Sequence, residues 1–258
     1  MFKKKSLGQH FLTSSHYLSL IADTAKLVQG ERVLEIGPGE GTLTKTLLER
    51  GVSVYAIEKD HRLIPVLQET FAKEISEGRF ILTEGDVLEE PIAIEQPYKL
   101  VANIPYYITG AIIEKFLSAA AQPVHMVALV QKEVAERIAR EEKESILSLA
   151  VKAYGTPRYV KTVPAGAFSP PPQVDSAILS IENISRNNFV NAEHEKKFFE
   201  LLHAGFAHKR KLLKRNLESV VGERATQLFS KAGIPEQARA EDIELERWLL
   251  LVRYWFQL

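Results

Sequence analysis

The chain has 258 residues, of which 45% are hydrophobic and 26% are charged. These proportions are typical of a globular protein, and the length fits one large α/β domain with or without a small appendage. Lys and Arg together number 33, as do Asp and Glu, so any nucleic-acid surface must be local rather than a property of the total charge. With 0 Cys, a disulfide framework and a thiolate metal site are excluded.

The sequence contains no sign of a membrane segment. No apolar run approaches the ~20 residues that a spanning helix needs. The first residues, Met1-Phe2-Lys3-Lys4-Lys5, lack the apolar core of a signal peptide. We therefore expect a cytoplasmic protein with no membrane partner.

A glycine-rich loop at 37–41 follows a predicted helix, 15–28, and a short apolar strand. Glycines allow positive φ and let the backbone approach a ligand closely. Thr42 replaces the last glycine of the dinucleotide fingerprint, and the Gly-Lys-Ser/Thr of a triphosphate loop is missing. Because Glu35 beside the loop would also repel a pyrophosphate, the pattern favours an uncharged or cationic ligand. A purely structural turn is the alternative.

The next two predicted strands each end in a carboxylate. The second strand, 52–57, is followed by Glu58, and the third, 80–82, leads to Asp86. At the carboxyl edge of a parallel sheet, one such group can accept hydrogen bonds from ribose hydroxyls and the other from an adenine amine. Either residue alone would be an ordinary solvated strand end. Together with the glycine loop they predict a nucleoside site.

The fourth predicted strand, 99–102, delivers Asn103-Ile104-Pro105-Tyr106. The amide oxygen of Asn103 can accept a hydrogen bond from an amine, and Pro105 fixes φ and donates none. Tyr106 offers a flat face for a planar heterocycle. The group therefore suits a planar base that carries an exocyclic amine, whereas the alternative is a strand that ends in an ordinary proline turn.

A second informative stretch begins at Phe168 and continues through three prolines to Asp175. Consecutive prolines form a stiff, extended loop. Its phenylalanine either lies opposite Tyr106 as a second ring or packs in the core. The loop leads into the last predicted strand, 177–181. Helices are also predicted at 62–71, 112–120 and 131–140, a strand at 124–130, and a helix or strand at 145–154.

The C-terminal part is polar at 182–192 and helical in pattern thereafter, with helices predicted at 193–207, 209–220, 223–231 and 245–256. We therefore expect a catalytic domain over 1–184 and a helical domain over 185–258. A basic stretch without acidic residues lies in the second of these helices. Such a stretch is either a solvated face or a contact surface for RNA phosphates. We predict RNA contact for Lys209, Arg210, Lys211, Lys214 and Arg215.

Residues 35–44, Glu58, Gly85-Asp86 and 103–106 resemble, in order, the motifs of S-adenosylmethionine-dependent methyltransferases. More narrowly, they resemble the ribosomal RNA adenine N6,N6-dimethyltransferases. Residues 8–12, Gly-Gln-His-Phe-Leu, also fit that family, which has Asn or His at the third position of this motif. The resemblance implies an α/β Rossmann-like domain with a small all-helical C-terminal domain.

The resemblance also implies a reaction and its residues. S-adenosylmethionine would methylate N6 of two adjacent adenines near the 3′ end of small-subunit (16S) ribosomal RNA, within a 30S or precursor particle. The enzyme would be a monomer without a metal. The implied catalytic residues are Asn103, Ile104, Pro105, Tyr106 and Phe168. The implied cofactor-binding residues are His10, Leu12, Gly37, Gly39, Glu58, Asp86, Val87 and Asn103.

Three alternatives remain open. An antibiotic-resistance enzyme that methylates 23S RNA would share the catalytic motifs, but such enzymes usually have Asn where this chain has Asp175. A DNA adenine methyltransferase would share Asn-x-Pro-Tyr, but residues 9–12 and the lack of a target-recognition domain argue against it. An assembly factor would act chiefly by binding a precursor particle.

Overall fold

The computed structural model of the chain describes residues 10–91, 94–95 and 97–257. The predicted roles of Lys3, Lys4, Lys5, Gly8 and Gln9 therefore fall outside the described residues. The chain forms two compact units. The first contains the residues up to Ala135 together with Thr156–Ile184, and the second contains Glu136–Gly155 together with the residues from Ser185 onward.

The first unit is built on a mixed β-sheet. The strands are β1 (Phe11–Leu12), β2 (Arg32–Ile36), β3 (Ser53–Glu58), β4 (Phe80–Glu84), β5 (Tyr98–Asn103), β6 (His125–Gln131), β7 (Thr156–Val163), β8 (Phe168–Ser169) and β9 (Ser176–Glu182). Seven of them form one sheet in the order β4-β3-β2-β5-β6-β9-β7. The strands from β4 to β6 run parallel, whereas β9 is antiparallel to both of its neighbours.

The order of the strands explains where a ligand can bind. After β2 the chain adds β3 and β4 on one side of the sheet, and then β5 and β6 on the other. The connections therefore diverge at the carboxyl ends of β2 and β5, which leaves a crevice at that edge. Because β5 and β6 are covered on both faces, they are nearly continuous apolar runs in the sequence.

Helices pack against this sheet through apolar stripes. The helices of the first unit are α1 (Ser15–Thr24), α2 (Thr42–Glu49), α3 (Ile64–Thr70), α4 (Ala72–Ser76) and α5 (Thr109–Ser118). The next helix, α6 (Lys132–Ala139), begins in the first unit and continues into the second. In α2, Leu43, Leu47 and Leu48 recur at helical spacing and are buried. A two-stranded antiparallel sheet of β1 and β8 completes the first unit.

The second unit is helical. Its helices are α7 (Ile146–Tyr154), α8 (Ala192–Gly205), α9 (Leu213–Val221), α10 (Ala225–Ala232) and α11 (Leu245–Trp255). Ser145 caps α7 by accepting a hydrogen bond from the Ser148 amide, and Asn191 caps α8 in the same way through the His194 amide. Trp248 is 0% exposed at the centre of this unit.

Residues 136–155, which the sequence suggested as part of the catalytic domain, group with the C-terminal helices. The Glu144 amide donates to the Glu241 carbonyl oxygen at 2.8 Å, and Lys143 forms an ion pair with Asp242. The division at 184 and 185 remains a prediction about independently folding domains. Within the described ranges, no helix combines the length and the apolar character required to cross a membrane.

Candidate active site at the carboxyl edge of the sheet

A cleft opens at the edge predicted by the strand order. Its walls come from the loops after β2, β3, β4 and β5 and from the segment before β1. Most of the predicted site residues lie together there. They are His10, Gly37, Gly39, Glu58, Asp86, Val87, Asn103, Ile104, Pro105 and Tyr106.

The glycine loop is held to the end of β3 by Glu58. One carboxylate oxygen of Glu58 accepts a hydrogen bond from the Gly39 amide at 3.0 Å, and the other accepts from the Asp60 amide at 2.8 Å. Gly39 has φ +61°, and a Cβ there would lie 2.6 Å from the ring of Phe11. Only glycine therefore fits this position. Burial raises the pKa of Glu58 above its usual value.

Glu35 has a different role from the one expected. Its side chain is 1% exposed and accepts a hydrogen bond from the Thr44 hydroxyl at 2.6 Å. Burial raises the pKa of Glu35 to about 8, so the group is largely neutral at pH 7. The prediction that its charge repels a pyrophosphate was therefore wrong. It supports the first turn of α2 instead.

The N-terminal end of α2 is covered by the chain itself. The Thr42 hydroxyl donates to the Leu12 carbonyl oxygen at 3.2 Å. This contact brings the backbone of β1 against the first residue of α2, the helix whose N-terminus would hold the pyrophosphate in a dinucleotide site. The Leu12 side chain is 2% exposed in the core cluster and does not line the cleft. Alternation in β1 turns this side chain inward, so a contact of Leu12 with the cofactor would have to be made by its backbone, and its place in the cofactor site stays a prediction.

The loop after β4 carries an ion pair. Asp86 accepts from the Lys59 ammonium at 2.5 Å and from the Leu88 amide at 3.0 Å. The Lys59 ammonium lowers the pKa of Asp86. Lys115 donates to the Val87 carbonyl oxygen at 2.7 Å and anchors the same loop from behind. Asp86 thus presents a charged carboxylate at the rim, on a loop held in place.

The orientation of the Asn103 amide is determined by its partner. Its Nδ2 donates to the His10 carbonyl oxygen at 2.9 Å. A carbonyl oxygen can only accept, so the amide nitrogen must face His10 and Oδ1 must face away. Within the part of the chain that the structure describes, no donor reaches Oδ1 or the Ile104 carbonyl oxygen. Two acceptors in consecutive residues are therefore available.

Tyr106 follows in a short 3₁₀ turn, Tyr106–Ile108, which the Pro105 carbonyl oxygen closes by accepting from the Ile108 amide at 3.1 Å. The ring is half-buried, and its hydroxyl lies 2.6 Å from Ser176 Oγ. His10 stacks beside it, with ring centroids 6.1 Å apart and an interplanar angle of 20°. The phenol therefore has a defined position in the cleft.

Phe168 is 4% exposed, pairs with Leu12 across the β1–β8 ladder, and belongs to the core cluster. It is not among the described residues that line the cleft, and its catalytic role stays a prediction. Asp175, at the other end of the loop, accepts from the Ala165 amide at 3.1 Å and so supports the backbone of its own loop.

Several residues that line the cleft were not among the predicted site residues. Three of them, Phe11, Ile36 and Ile57, are apolar side chains at strand ends, where the sequence pattern does not distinguish a cleft residue from a core residue. Lys59 had the clearest signal, because it follows Glu58 directly at a strand end. The residues are Phe11, Ile36, Ile57, Lys59, Gly85, Tyr107 and Ile108.

The basic stretch lies in the second unit. Residues 208–212 form turns rather than the start of a helix, and α9 begins at Leu213. The buried Asn216 shapes this segment, because its Nδ2 donates to the carbonyl oxygens of Gly205, at 2.6 Å, and His208, at 3.1 Å. We call residues 208–215 the basic loop. Four of its cations are exposed, Lys209, Arg210, Lys211 and Arg215, whereas Lys214 pairs with Glu236 at 2.9 Å.

The chemistry of the cleft fits S-adenosylmethionine, the cofactor that the sequence motifs imply. Glu58 and Asp86 supply acceptors for hydroxyl and amine groups, and Ile36 and Ile57 supply apolar surface. The one lysine among the described lining residues, Lys59, is paired with Asp86. A cationic nucleoside without phosphates matches this set of groups, whereas a dinucleotide does not.

Comparisons with known proteins agree with this chemistry. Residues 1–257 match the model of the ribosomal RNA adenine dimethylase family. A relative from Dehalococcoides mccartyi (strain CBDB1), named ribosomal RNA small subunit methyltransferase A, is 43% identical over 253 residues, which cover 95% of this chain and 86% of that protein.

Two solved structures share the fold. The crystal structure of the 23S rRNA methyltransferase ErmE has a TM-score of 0.76 and 26% identity, over 94% of this chain and 98% of that one. A dimethyladenosine transferase from Plasmodium falciparum has a TM-score of 0.79 and 24% identity, over 96% and 98%. The chain therefore belongs to the ribosomal RNA adenine dimethylase family, whose enzymes transfer methyl groups from S-adenosylmethionine.

Proposed function

We propose that this enzyme converts two adjacent adenines near the 3′ end of 16S ribosomal RNA to N6,N6-dimethyladenosine. The relative that is 43% identical carries a small-subunit name, whereas the 23S methyltransferase ErmE is 26% identical. The proposed substrate is a 30S or precursor particle. We further propose that the enzyme acts on it in the cytoplasm and as a monomer. A role in small-subunit biogenesis follows from this substrate.

One observation carries the proposed chemistry, namely the direction of the Asn103 amide. Because Nδ2 is committed to the His10 carbonyl oxygen at 2.9 Å, Oδ1 is presented as an acceptor. The Ile104 carbonyl oxygen lies one residue further along the chain. An adenine amine has two N–H donors, and these two oxygens match them in number and in kind.

The adenine amine is a poor nucleophile because its lone pair is delocalised into the ring. S-adenosylmethionine supplies an electrophilic methyl carbon. When Asn103 Oδ1 and the Ile104 carbonyl oxygen accept hydrogen bonds from the two N–H groups, the amine is held with its lone pair directed out of the ring plane. Positioning of this kind supplies most of the rate enhancement, without a strong base. As the bond between the methyl carbon and N6 forms, the bond between that carbon and sulfur would break and leave a neutral thioether. The methylated amine then releases one proton to water, so one N–H donor remains.

Tyr106 would hold the target base by its ring face. The base must leave its stack to reach the cleft, and an aromatic side chain compensates for part of the lost stacking. The stack of His10 on Tyr106 keeps the phenol in place. Phe168 has no part in this proposal, because its ring is buried in the core.

For the cofactor we propose that Glu58 accepts from the ribose hydroxyls and that Asp86 accepts from the adenine amine. Both carboxylates already have backbone donors, yet each oxygen has a second lone pair to offer. Gly37 is consistent with this arrangement. A Cβ atom placed on it would have no atom within 4 Å, so the space beside its backbone is open to a ligand. Val87 and His10 complete the wall of the cleft.

The basic loop is the proposed RNA contact of the second unit. Its exposed cations neutralise phosphates without reading sequence. The sequence specificity of the reaction must therefore come from elsewhere, such as the structure of the particle and the fit of the flipped base.

Methyl transfer to isolated ribosomal subunits tests the proposal. Purified small and large subunits that lack this modification are incubated with labelled S-adenosylmethionine, and the labelled nucleotide is identified by mass. Dimethyladenosine in small-subunit RNA alone is the expected result. Label in the large subunit would assign the enzyme to the 23S type, which the similarity to ErmE makes the second candidate.

Two further outcomes would replace the proposal. Label in DNA rather than in either subunit would indicate a DNA adenine methyltransferase. Cofactor binding without label in any of these substrates would favour an assembly factor that acts by binding. In that case a variant without methyl transfer activity would still support small-subunit maturation.

A further inference from the structure

Tyr106 is joined to the central sheet by a hydrogen bond that the proposed reaction does not yet use. Its hydroxyl lies 2.6 Å from Ser176 Oγ. Ser176 is 0% exposed and begins β9, where it is paired with Gln131 of β6 on one side and with Val163 of β7 on the other. The bond therefore connects a single helical turn to a residue that is held from both sides.

The other support of the Tyr106 ring depends on the same segment. His10 stacks on the ring, and its own Nδ1 donates to the Pro170 carbonyl oxygen at 2.9 Å. Residues 168–176 therefore contact the phenol directly through their last residue and indirectly through His10. The stiff proline loop thus braces the ring of Tyr106, while its own Phe168 is buried in the core.

We propose that Ser176 is a positioning residue for methyl transfer. A tyrosine ring can turn about two side-chain bonds. The hydroxyl oxygen lies on the axis of the second bond, so the hydrogen bond to Ser176 restricts chiefly the first, which places the ring, while the His10 ring beside it restricts the second. With the hydroxyl held, the ring lies where the target adenine stacks and presents its amine to Asn103. The inference rests on the proposed methylation of adenine, but not on which ribosomal RNA carries the target.

A purely structural role would make the same hydrogen bond without any effect on the reaction. Ser180 provides the matched case. It lies on the same strand, is also 0% exposed, and has its hydroxyl 2.8 Å from His125 Nε2. His125 begins β6 at the opposite end from the cleft. Loss of the Ser176 hydroxyl removes its bond to Tyr106, and loss of the Ser180 hydroxyl removes its bond to His125 and a longer one, 3.4 Å, to Glu182. Only Ser176 is bonded to a residue of the cleft.

The test compares Ser176→Ala, Tyr106→Phe, their double variant and Ser180→Ala in the full chain. Methyl transfer is measured on whichever ribosomal RNA substrate the wild type labels, and cofactor affinity is measured by calorimetry. We expect Ser176→Ala and Tyr106→Phe each to lower kcat/KM for the RNA about tenfold, which corresponds to one neutral hydrogen bond. The double variant should lose about the same factor. Cofactor affinity should stay within about twofold throughout.

Ser180→Ala separates positioning from stability. It should lower the melting temperature about as much as Ser176→Ala while its kcat and KM for the RNA remain those of the wild type. Equal kinetic losses in the two alanine variants would overturn the proposal. A double variant that loses about a hundredfold would also overturn it, because the two groups would then act independently.

A second variant keeps the test decisive if Ser176→Ala does not fold. Tyr106→Phe removes the same bond from a half-buried position, and wild-type kinetics for it would overturn the proposal. Failure of the proposed function has a separate signature. If the wild type labels large-subunit RNA, the small-subunit assignment is lost, whereas the comparison of these variants is made on that RNA with the same expected ratios.

Discussion

The cleft and the basic loop use polar side chains in opposite ways. In the cleft, Glu58, Asp86 and Asn103 each have a partner at 2.5–3.0 Å. In the basic loop, Lys209 and Arg210 are exposed, and no described residue accepts a hydrogen bond from their side chains. The first region is built from directional contacts, and the second from charges that remain in solvent.

This difference predicts how each region responds to change. A hydrogen bond depends on distance and angle, so a single substitution in the cleft should have a large effect. Phosphate contacts act through charge and contribute in small, similar steps that salt weakens. Substitutions in the basic loop should therefore be mild and additive. Four predictions test this contrast.

Asn103→Ala should have the largest effect. It removes the acceptor for the amine and leaves the adenine free to rotate, so we expect kcat to fall between about 100- and 1000-fold. Single-turnover methyl transfer at saturating cofactor and RNA measures the loss. The control is Asn187→Ala, at an exposed asparagine that does not line the cleft. Near-normal turnover of Asn103→Ala would contradict the proposed mechanism.

Glu35 should make the free energy of unfolding of the protein depend on pH. Burial raises its pKa from 4.5 to about 8, so between these values the folded protein keeps a proton that the unfolded chain has released. Stability should therefore fall as the pH rises from 5 to 8, by on the order of 3 kcal/mol. Glu35→Gln should remove this contribution and raise stability at pH 8.

Urea unfolding at pH 5, 6.5 and 8 measures this slope. The control is Glu40→Gln, because Glu40 lies in the same glycine loop but is exposed. Glu40→Gln should keep the slope of the wild type. If Glu35→Gln kept it as well, the buried carboxyl would not be the source of the pH dependence.

Glu58→Gln should weaken cofactor binding by about tenfold. The amide keeps one oxygen for a backbone donor, but its NH₂ group faces a second donor, so both the Gly39 contact and the ribose contact suffer. Calorimetric titration with S-adenosylmethionine measures the loss. Glu84→Gln is the matched control, because Glu84 is the register partner of Glu58 on β4 and is exposed. Equal affinities for the two variants would refute the role of Glu58.

Substitutions in the basic loop should have the smallest effects. Lys209→Gln, Arg210→Gln and Lys211→Gln should each raise KM for the ribosomal subunit about two- to threefold. Each lost phosphate contact should also reduce the slope of log KM against log salt by about one. Lys214→Gln should change less, because Glu236 already pairs with this ammonium at 2.9 Å. Lys73→Gln, in α4, is the control. An unchanged salt slope for all of the loop variants would rule out phosphate contact.

The elements that the sequence predicted well are those with strong periodicity. The buried strands β2, β5 and β6 are apolar runs, and α1 and α2 have apolar residues at helical spacing. The edge strand β7 was missed, because it contains Pro157 and has polar residues along its exposed edge. The segment 209–212 was predicted as helix, yet the hydrogen bonds of Asn216 hold the preceding residues in turns.

The site was predictable as a set of residues, but not as a set of contacts. Strand ends place Glu58, Asp86 and Asn103 at one edge whatever their side chains do. Their partners come from distant parts of the chain. His10 is 93 positions from Asn103, and Ser176 is 70 positions from Tyr106. No spacing rule within one element relates such pairs, so the amide orientation and the support of the ring required the structure.

The bond between Asn103 and residue 10 has an evolutionary consequence. Its acceptor is a main-chain carbonyl oxygen, which is present whichever side chain residue 10 carries. This one contact can therefore survive a change of side chain at residue 10, whereas the stack on Tyr106 and the hydrogen bond to Pro170 depend on the His10 imidazole. A comparison of side chains alone would undervalue residue 10.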